Sequence, residues 1–126
     1  MSIVWQGARP DFKKELDEFL EQELFNTAKD VFNGVVMRTP ARSGELRASW
    51  NLSADQPNFV TVGDPNSSPR HVDAVLPPPS SPTFVKSHTG LYFVTNGKAY
   101  AGVVEEGGPH NVAHHMMERT LDSLDL

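Results

Sequence analysis

The chain contains no cysteine in its 126 residues. That removes disulfides, a thiolate nucleophile and every cysteine-based zinc site, and it fits a reducing compartment or a protein indifferent to redox state. A long apolar run is missing too: nothing approaches the roughly 18 consecutive apolar residues of a membrane span. The opening MSIVWQGARPDF has no basic segment leading into an apolar one, so no signal peptide is read there. Positive charge is scarce and scattered. Eleven Lys and Arg stand against sixteen Asp and Glu, giving a formal charge of −5, and no basic cluster of the kind that grips phosphates is in view. A chain of this balance can sit beside DNA without holding it.

What is present is one domain's worth of sequence, residues 1–126. Apolar residues make up 38%, or about 45% with glycine counted, the low end for a globular domain. From Asp11 to about Met37, the residues Phe12, Leu16, Phe19, Leu20, Leu24, Ala28, Val31, Val35 and Val36 recur at threes and fours. The spacing predicts one helix of roughly seven turns. Its other face is acidic, through Glu15, Asp17, Glu18, Glu21 and Glu23. Phe25 and Phe32 stand off the main stripe and predict a second buried side, and Gly34 is the weak point of the pattern. The helix stops before Pro40, because the residue preceding a proline is pushed out of the α region.

After that corner, ELRASWNLSAD passes from a helical turn into alternation, with Trp50 and Leu52 facing inward. NFVTVGD (58–64) repeats the alternation and predicts an antiparallel partner, while GLYFVTN (90–96), apolar on both faces, predicts a more central strand. Residues 65–88 hold six of the ten prolines. A segment this long without structure is normally functional or disordered. It is expected to be an arm that leaves its own globule, anchored on a partner by Val72, Val75, Leu76, Phe84 and Val85. Arg70 and His71 would add charge complementarity there. KAYAGVVEEGGP predicts a short helical turn presenting Tyr100, Val103 and Val104, broken by Gly107 and Gly108. A last amphipathic helix is expected from Asn111 to Leu124, its stripe formed by Val112, Ala113, Met116, Met117, Thr120, Leu121 and Leu124. The fold class is α+β: a long N-terminal and a C-terminal helix packed on a small, mainly antiparallel sheet, with a long Pro-rich loop or arm.

Candidate chemistry is thin. His110 and His114 are four apart, a helical spacing that can hold a metal, and Glu105, Glu106 and Glu118 lie nearby. A small metal-dependent hydrolase is one alternative on that ground. The glutamate that should follow the first histidine is absent, and a solvated helix face, with His114 near Glu118 and His115 near Arg119, explains the same residues. There is no nucleophile elbow and no phosphate loop. A second alternative is a monomeric module presenting LPPPSSP as a proline-rich ligand. No catalytic residue, metal or cofactor is expected.

The stretch TPARSGELRASW offers more. It resembles a motif of the minor tail, tail-completion or neck protein family of long-tailed bacteriophages (minor tail protein Z-like), which reads Thr-Pro-x-x-Ser/Thr-Gly-x-Leu-Arg-x-Ser after a long helix. Thr39, Pro40, Ser43, Gly44, Leu46, Arg47 and Ser49 match. NGKAYAGVVEEGG is similar to a later segment of the family through Asn96, Tyr100, Ala101, Glu105 and Gly107. The Pro-rich segment departs from the pattern. The resemblance implies a virion protein, present in the host cytoplasm during assembly, that forms a ring homo-oligomer (a hexamer) at the head-tail junction. Its partners would be head-closure or connector and tail-terminator or tail-tube proteins, with DNA passing through the channel unbound. The acids of the long helix would then face that channel or a neighbour's basic positions. Read physically, the motif is a corner. Pro40 ends the helix, Ser43 caps a following turn, Gly44 takes a backbone geometry others avoid, Leu46 and Trp50 enter the core, and Arg47 pairs with Glu105 or Glu106.

Overall fold

A computed structural model describes residues 10–67, 72–108 and 113–125. The long periodic run forms α1, Pro10–Arg38, 29 residues or about 44 Å of helix. It stops where Pro40 requires. Four shorter elements and one more helix follow: α2 (Glu45–Ala48), β1 (Trp50–Ala54), β2 (Tyr92–Asn96), α3 (Ala101–Glu106) and α4 (Met116–Ser123). The architecture is α+β, two principal helices on a two-stranded antiparallel sheet.

The core lies against the C-terminal half of α1. Phe32, Val35 and Val36 pack with Trp50 and Met116, and Leu52, Val94, Val104 and Met117 close around them. Phe25 is buried two turns earlier, edge-on to Phe84 and Tyr92 at centroid distances of 5.3 and 5.9 Å. The expected stripe is only half used: Phe12, Phe19 and Leu24 stay exposed. The buried side is instead the one marked by Phe25 and Phe32, because sheet and α4 reach only the second half of the helix. Gly34 is where α4 crosses. A side-chain carbon at Gly34 would lie 2.4 Å from Thr120 Cγ2, so the weak point of the helix is its point of closest approach.

β1 and β2 pair in the register Trp50↔Asn96 through Ala54↔Tyr92. NFVTVGD is not a strand, and among the described residues β2 is not central to a larger sheet. Residues 58–62 instead cross the outer face, held by side chains in place of a ladder. Asn51 Nδ2 donates to Val60 O at 2.8 Å, the opposed Thr95 Oγ1 donates to Asn58 O, and Val62 N donates to Ser49 Oγ at 3.0 Å. Asn58 Oδ1 accepts the Val60 amide at 3.0 Å, a local turn bond that competes with strand pairing. Gly97 makes room for the crossing, since a side chain there would meet Phe59 O at 2.1 Å.

The expected arm does not leave its globule over its described part. Residues 75–87 have no helix or strand and run extended along α1. Leu76 N donates to Ser43 O at 2.9 Å, Asn33 Nδ2 to Ser81 Oγ at 3.1 Å, and Tyr92 Oη to Val85 O. Lys86 Nζ sits 3.6 Å from Glu21 Oε1. A 29-residue helix offers more surface than the small sheet can cover, and the proline-stiffened strap takes part of it. Arg70 and His71 lie outside the described residues. The C-terminal helix begins at Met116 rather than Asn111; His110, Asn111 and Val112 lie outside the described residues too.

Candidate functional site

The two segments that carry the resemblance meet in one joint. Thr39, directly after α1, is buried and receives the Trp50 indole Nε1–H at 2.7 Å. Its hydroxyl lies 2.6 Å from Val35 O and 3.1 Å from Met116 Sδ. Pro40 is half-buried. Ser43 Oγ accepts the Glu45 amide at 3.3 Å, and Gly44 turns the chain at φ 84. A side chain at Gly44 would meet Leu76 O at 2.5 Å, so this glycine is required both by conformation and by contact. Leu46 is buried, and its carbonyl accepts Asn96 Nδ2 at 2.8 Å.

Glu45 and Lys98 form the centre of the joint, and neither stood out in the sequence. The Lys98 side chain is fully buried, with Nζ 3.3 Å from Glu45 Oε2, 2.8 Å from Asp64 O and 2.9 Å from Ser67 Oγ. Three donors meet three acceptors, the condition under which a buried ammonium is tolerated. The signal available was a lysine in a turn directly after an apolar strand, which composition does not distinguish from a solvated one. Burial first, and Glu45 nearby second, hold the Tyr100 phenol above its usual range.

Arg47 does not pair with Glu105 or Glu106. Its Nη2 donates to Leu76 O at 3.0 Å, fastening the strap to the corner, and its buried Nε has no hydrogen-bond partner among the described residues. Glu105 serves α4 instead: Oε1 accepts Met117 N at 2.9 Å and Oε2 accepts Glu118 N at 3.3 Å. A carboxylate there satisfies first-turn amides and favours the positive end of the helix. Gly107 ends α3 at φ 85, its amide on Val103 O at 2.7 Å.

A second node is Asp55, at φ 71 after β1. Its Oδ1 accepts Thr89 N at 2.9 Å, Thr89 Oγ1 at 2.7 Å, Ser87 Oγ at 2.8 Å and His88 N at 2.9 Å. The Thr89 amide above all, then the Thr89 and Ser87 hydroxyls, hold its carboxyl well below the usual carboxylate range. The arrangement pins the end of the strap beside the entry to β2.

The histidines are not brought together as ligands among the described residues. His115 pairs with Glu118, Nδ1 to Oε2 2.9 Å, and its carbonyl accepts the Arg119 amide at 2.9 Å. His114 is fixed by its amide on Val104 O at 2.8 Å. Among the described residues no three His, Asp or Glu side chains converge on a metal position. Of the expected anchor residues, Val72 is half-buried, while Val75, Leu76, Phe84 and Val85 remain exposed along the strap. No helix among the described residues is long and apolar enough to cross a membrane. Compared with protein-family models, curated proteins and solved structures, the chain matches none.

Proposed function

We propose that this chain is a structural subunit of the neck of a long-tailed bacteriophage virion, a tail-completion or head-tail joining component that assembles as a ring around the DNA channel. The observation that carries the reading is the joint. The motif segments 39–49 and 96–107 are about fifty residues apart in sequence, yet they interlock through Asn96 on Leu46 O and Lys98 on Glu45. A resemblance confined to two short motifs gains weight when those motifs prove to be one structural unit. The polar groups of that unit are largely spent on one another, which suits a part that holds shape under assembly. On this reading the chain is not an enzyme, and its neighbours are connector and tail-terminator or tail-tube proteins. The test is deletion of its gene from the genome that encodes it. Expected are filled heads and finished tails that accumulate unjoined, with joining restored by the chain supplied in trans; normal particles would overturn the reading.

A further inference from the structure

The strap is fastened firmly at its two ends and only by side chains between them. Leu76 is fixed through both of its backbone groups, its amide on Ser43 O at 2.9 Å and its carbonyl accepting Arg47 Nη2 at 3.0 Å. At the other end Asp55 holds Ser87, His88 and Thr89. Of the ten residues between, 77–86, four are proline and have no amide to give. Among the described residues the other six amides find no acceptor, and the only carbonyl in use is Val85 O, which accepts the Tyr92 hydroxyl.

Along this middle stretch Asn33 Nδ2 donates to Ser81 Oγ at 3.1 Å, the Phe84 ring stands edge-on to Phe25 at 5.3 Å, and Lys86 Nζ lies 3.6 Å from Glu21 Oε1. The two polar contacts are exposed, where water competes for both partners. The contacts fall in reverse order on the two segments: 33, 25 and 21 on α1 against 81, 84 and 86 on the strap. Twelve residues of helix rise about 18 Å. Five residues of strap cover that distance only when fully extended, at about 3.3–3.6 Å each. The strap is a stretched segment lying antiparallel in a seat on α1.

That seat has one deep point. Phe25 is 2% exposed, yet it stands outside the cluster of Phe32, Val35, Val36, Trp50 and Met116, and the rings against it are those of Phe84 and Tyr92. Phe84, which covers it, is itself 47% exposed. Lifting the strap would uncover Phe25 and leave the main core as it is. Local opening draws on segments of this kind, with few backbone bonds and few buried apolar contacts. The prolines stiffen the segment, so it moves between its fastenings as a unit and gains little disorder by leaving.

We propose that residues 77–86 are a displaceable strap, and that the seat they vacate on α1 takes an extended segment of another protein with an aromatic residue two positions ahead of a basic one. The strap is the template for that occupant: Phe84 fills the position over Phe25 and Lys86 the position beside Glu21. Apart from the Tyr92 hydroxyl, the seat holds no backbone group among the described residues, so it selects the spacing of two side chains on an extended chain. The inference does not rest on the neck reading, because it concerns what α1 binds and not the assembly that the chain joins.

A peptide of residues 76–88, labelled and titrated with the full chain in fluorescence anisotropy, tests it. The chain has no cysteine, so Asn33→Cys with Ser81→Cys, both exposed positions, can be joined by a short cleavable thiol cross-linker that holds the strap down. Expected is weak binding to the parent, since the occupant competes with the strap and its apparent affinity scales with the fraction open. Phe84→Ala in the chain should tighten binding roughly tenfold or more, with circular dichroism as in the parent. The cross-link should abolish binding until it is cleaved, and Phe84→Ala in the peptide should abolish it throughout. A peptide that binds neither the parent nor the Phe84→Ala chain would overturn the proposal, as would binding that the cross-link leaves unchanged.

Discussion

Thr39 has one hydroxyl proton and two acceptors within reach, Val35 O at 2.6 Å and Met116 Sδ at 3.1 Å. The carbonyl is the stronger acceptor and the closer one, so the proton goes there, and the lone pairs remain for the Trp50 indole N–H at 2.7 Å. One hydroxyl thus ends the helix and satisfies the tryptophan that closes the core. Thr39→Val keeps the shape and removes both bonds, leaving the indole donor buried without a partner. The expected loss is about 1–3 kcal/mol, read as a lower unfolding midpoint at unchanged denaturant slope. Asp55 acts on the other end of the sheet. Its folded-state pKa is depressed, chiefly by the Thr89 amide. Its contribution is therefore fully present above the unfolded value of about 3.9 and is lost as pH falls below that value toward the folded one. Asp55→Asn keeps a residue that tolerates the positive φ of 71 and removes the titration. The variant should unfold with a flatter acid limb below about pH 4, and thermal melts across that limb give the comparison. Parallel limbs would mean that the carboxylate adds nothing beyond what the amide supplies.

Between elements, the contact that decides the packing of α1 on α4 is a glycine on a threonine. An open helical glycine is improved by alanine, by about 0.5–1 kcal/mol. Gly102, in α3, has nothing within 4 Å of where its side chain would start, and Gly102→Ala should show that gain. Gly34→Ala should do the opposite. Its new carbon would lie 2.4 Å from Thr120 Cγ2, and Thr120 cannot easily yield because its hydroxyl is bonded to Met116 O at 2.7 Å. The expected cost is about 1–3 kcal/mol, with α4 amides exchanging faster than in the parent. Two glycine-to-alanine changes of opposite sign in one protein would isolate contact from propensity. The same contrast shows what was legible beforehand. The helix over 11–37, its stop before Pro40, the strands at Trp50 and Tyr92 and the glycine corner follow from local rules: period, proline sterics and turn chemistry. Which face of α1 is buried does not, because the sequence has apolar residues on both faces and only the reach of the sheet chooses between them. The fate of NFVTV is settled likewise by partners far along the chain, Asn51 and Thr95, whose side chains replace a ladder. Within the joint, Gly44 and Trp50 were readable. The Glu45–Lys98 pair was not, since nothing local separates a buried lysine from a solvated one.

For the whole molecule the proposed function raises a question: what would a wall around DNA have to avoid? A protein that holds duplex DNA neutralises several phosphates at once, and its affinity falls steeply with salt as counterions return. That requires cations gathered on one surface. Among the described residues the exposed ones are dispersed: Lys13 and Lys14 at the start of α1, Arg42 at the corner, Lys86 on the strap and Arg119 on α4. Lys98 is spent inside the joint. Around Lys13 and Lys14 stand Glu15, Asp17 and Glu18, so even the one close pair of cations sits in a field of the opposite sign. With a formal charge of −5, the long-range term repels a polyanion at low ionic strength, where it is least screened. The expected outcome is that labelled duplex DNA shows no change in fluorescence anisotropy on titration with the chain, even at about 50 mM salt, where phosphate contacts are strong. Binding that appears at low salt and falls away as salt rises would reveal a basic surface formed by association of copies. The passive wall would then be the wrong picture. Assembly concentrates charge of either sign, so the measurement is to be made on the associated species as well as on the dilute chain. If both leave the DNA free, the charge arrangement alone accounts for the absence of adhesion that the proposed function requires.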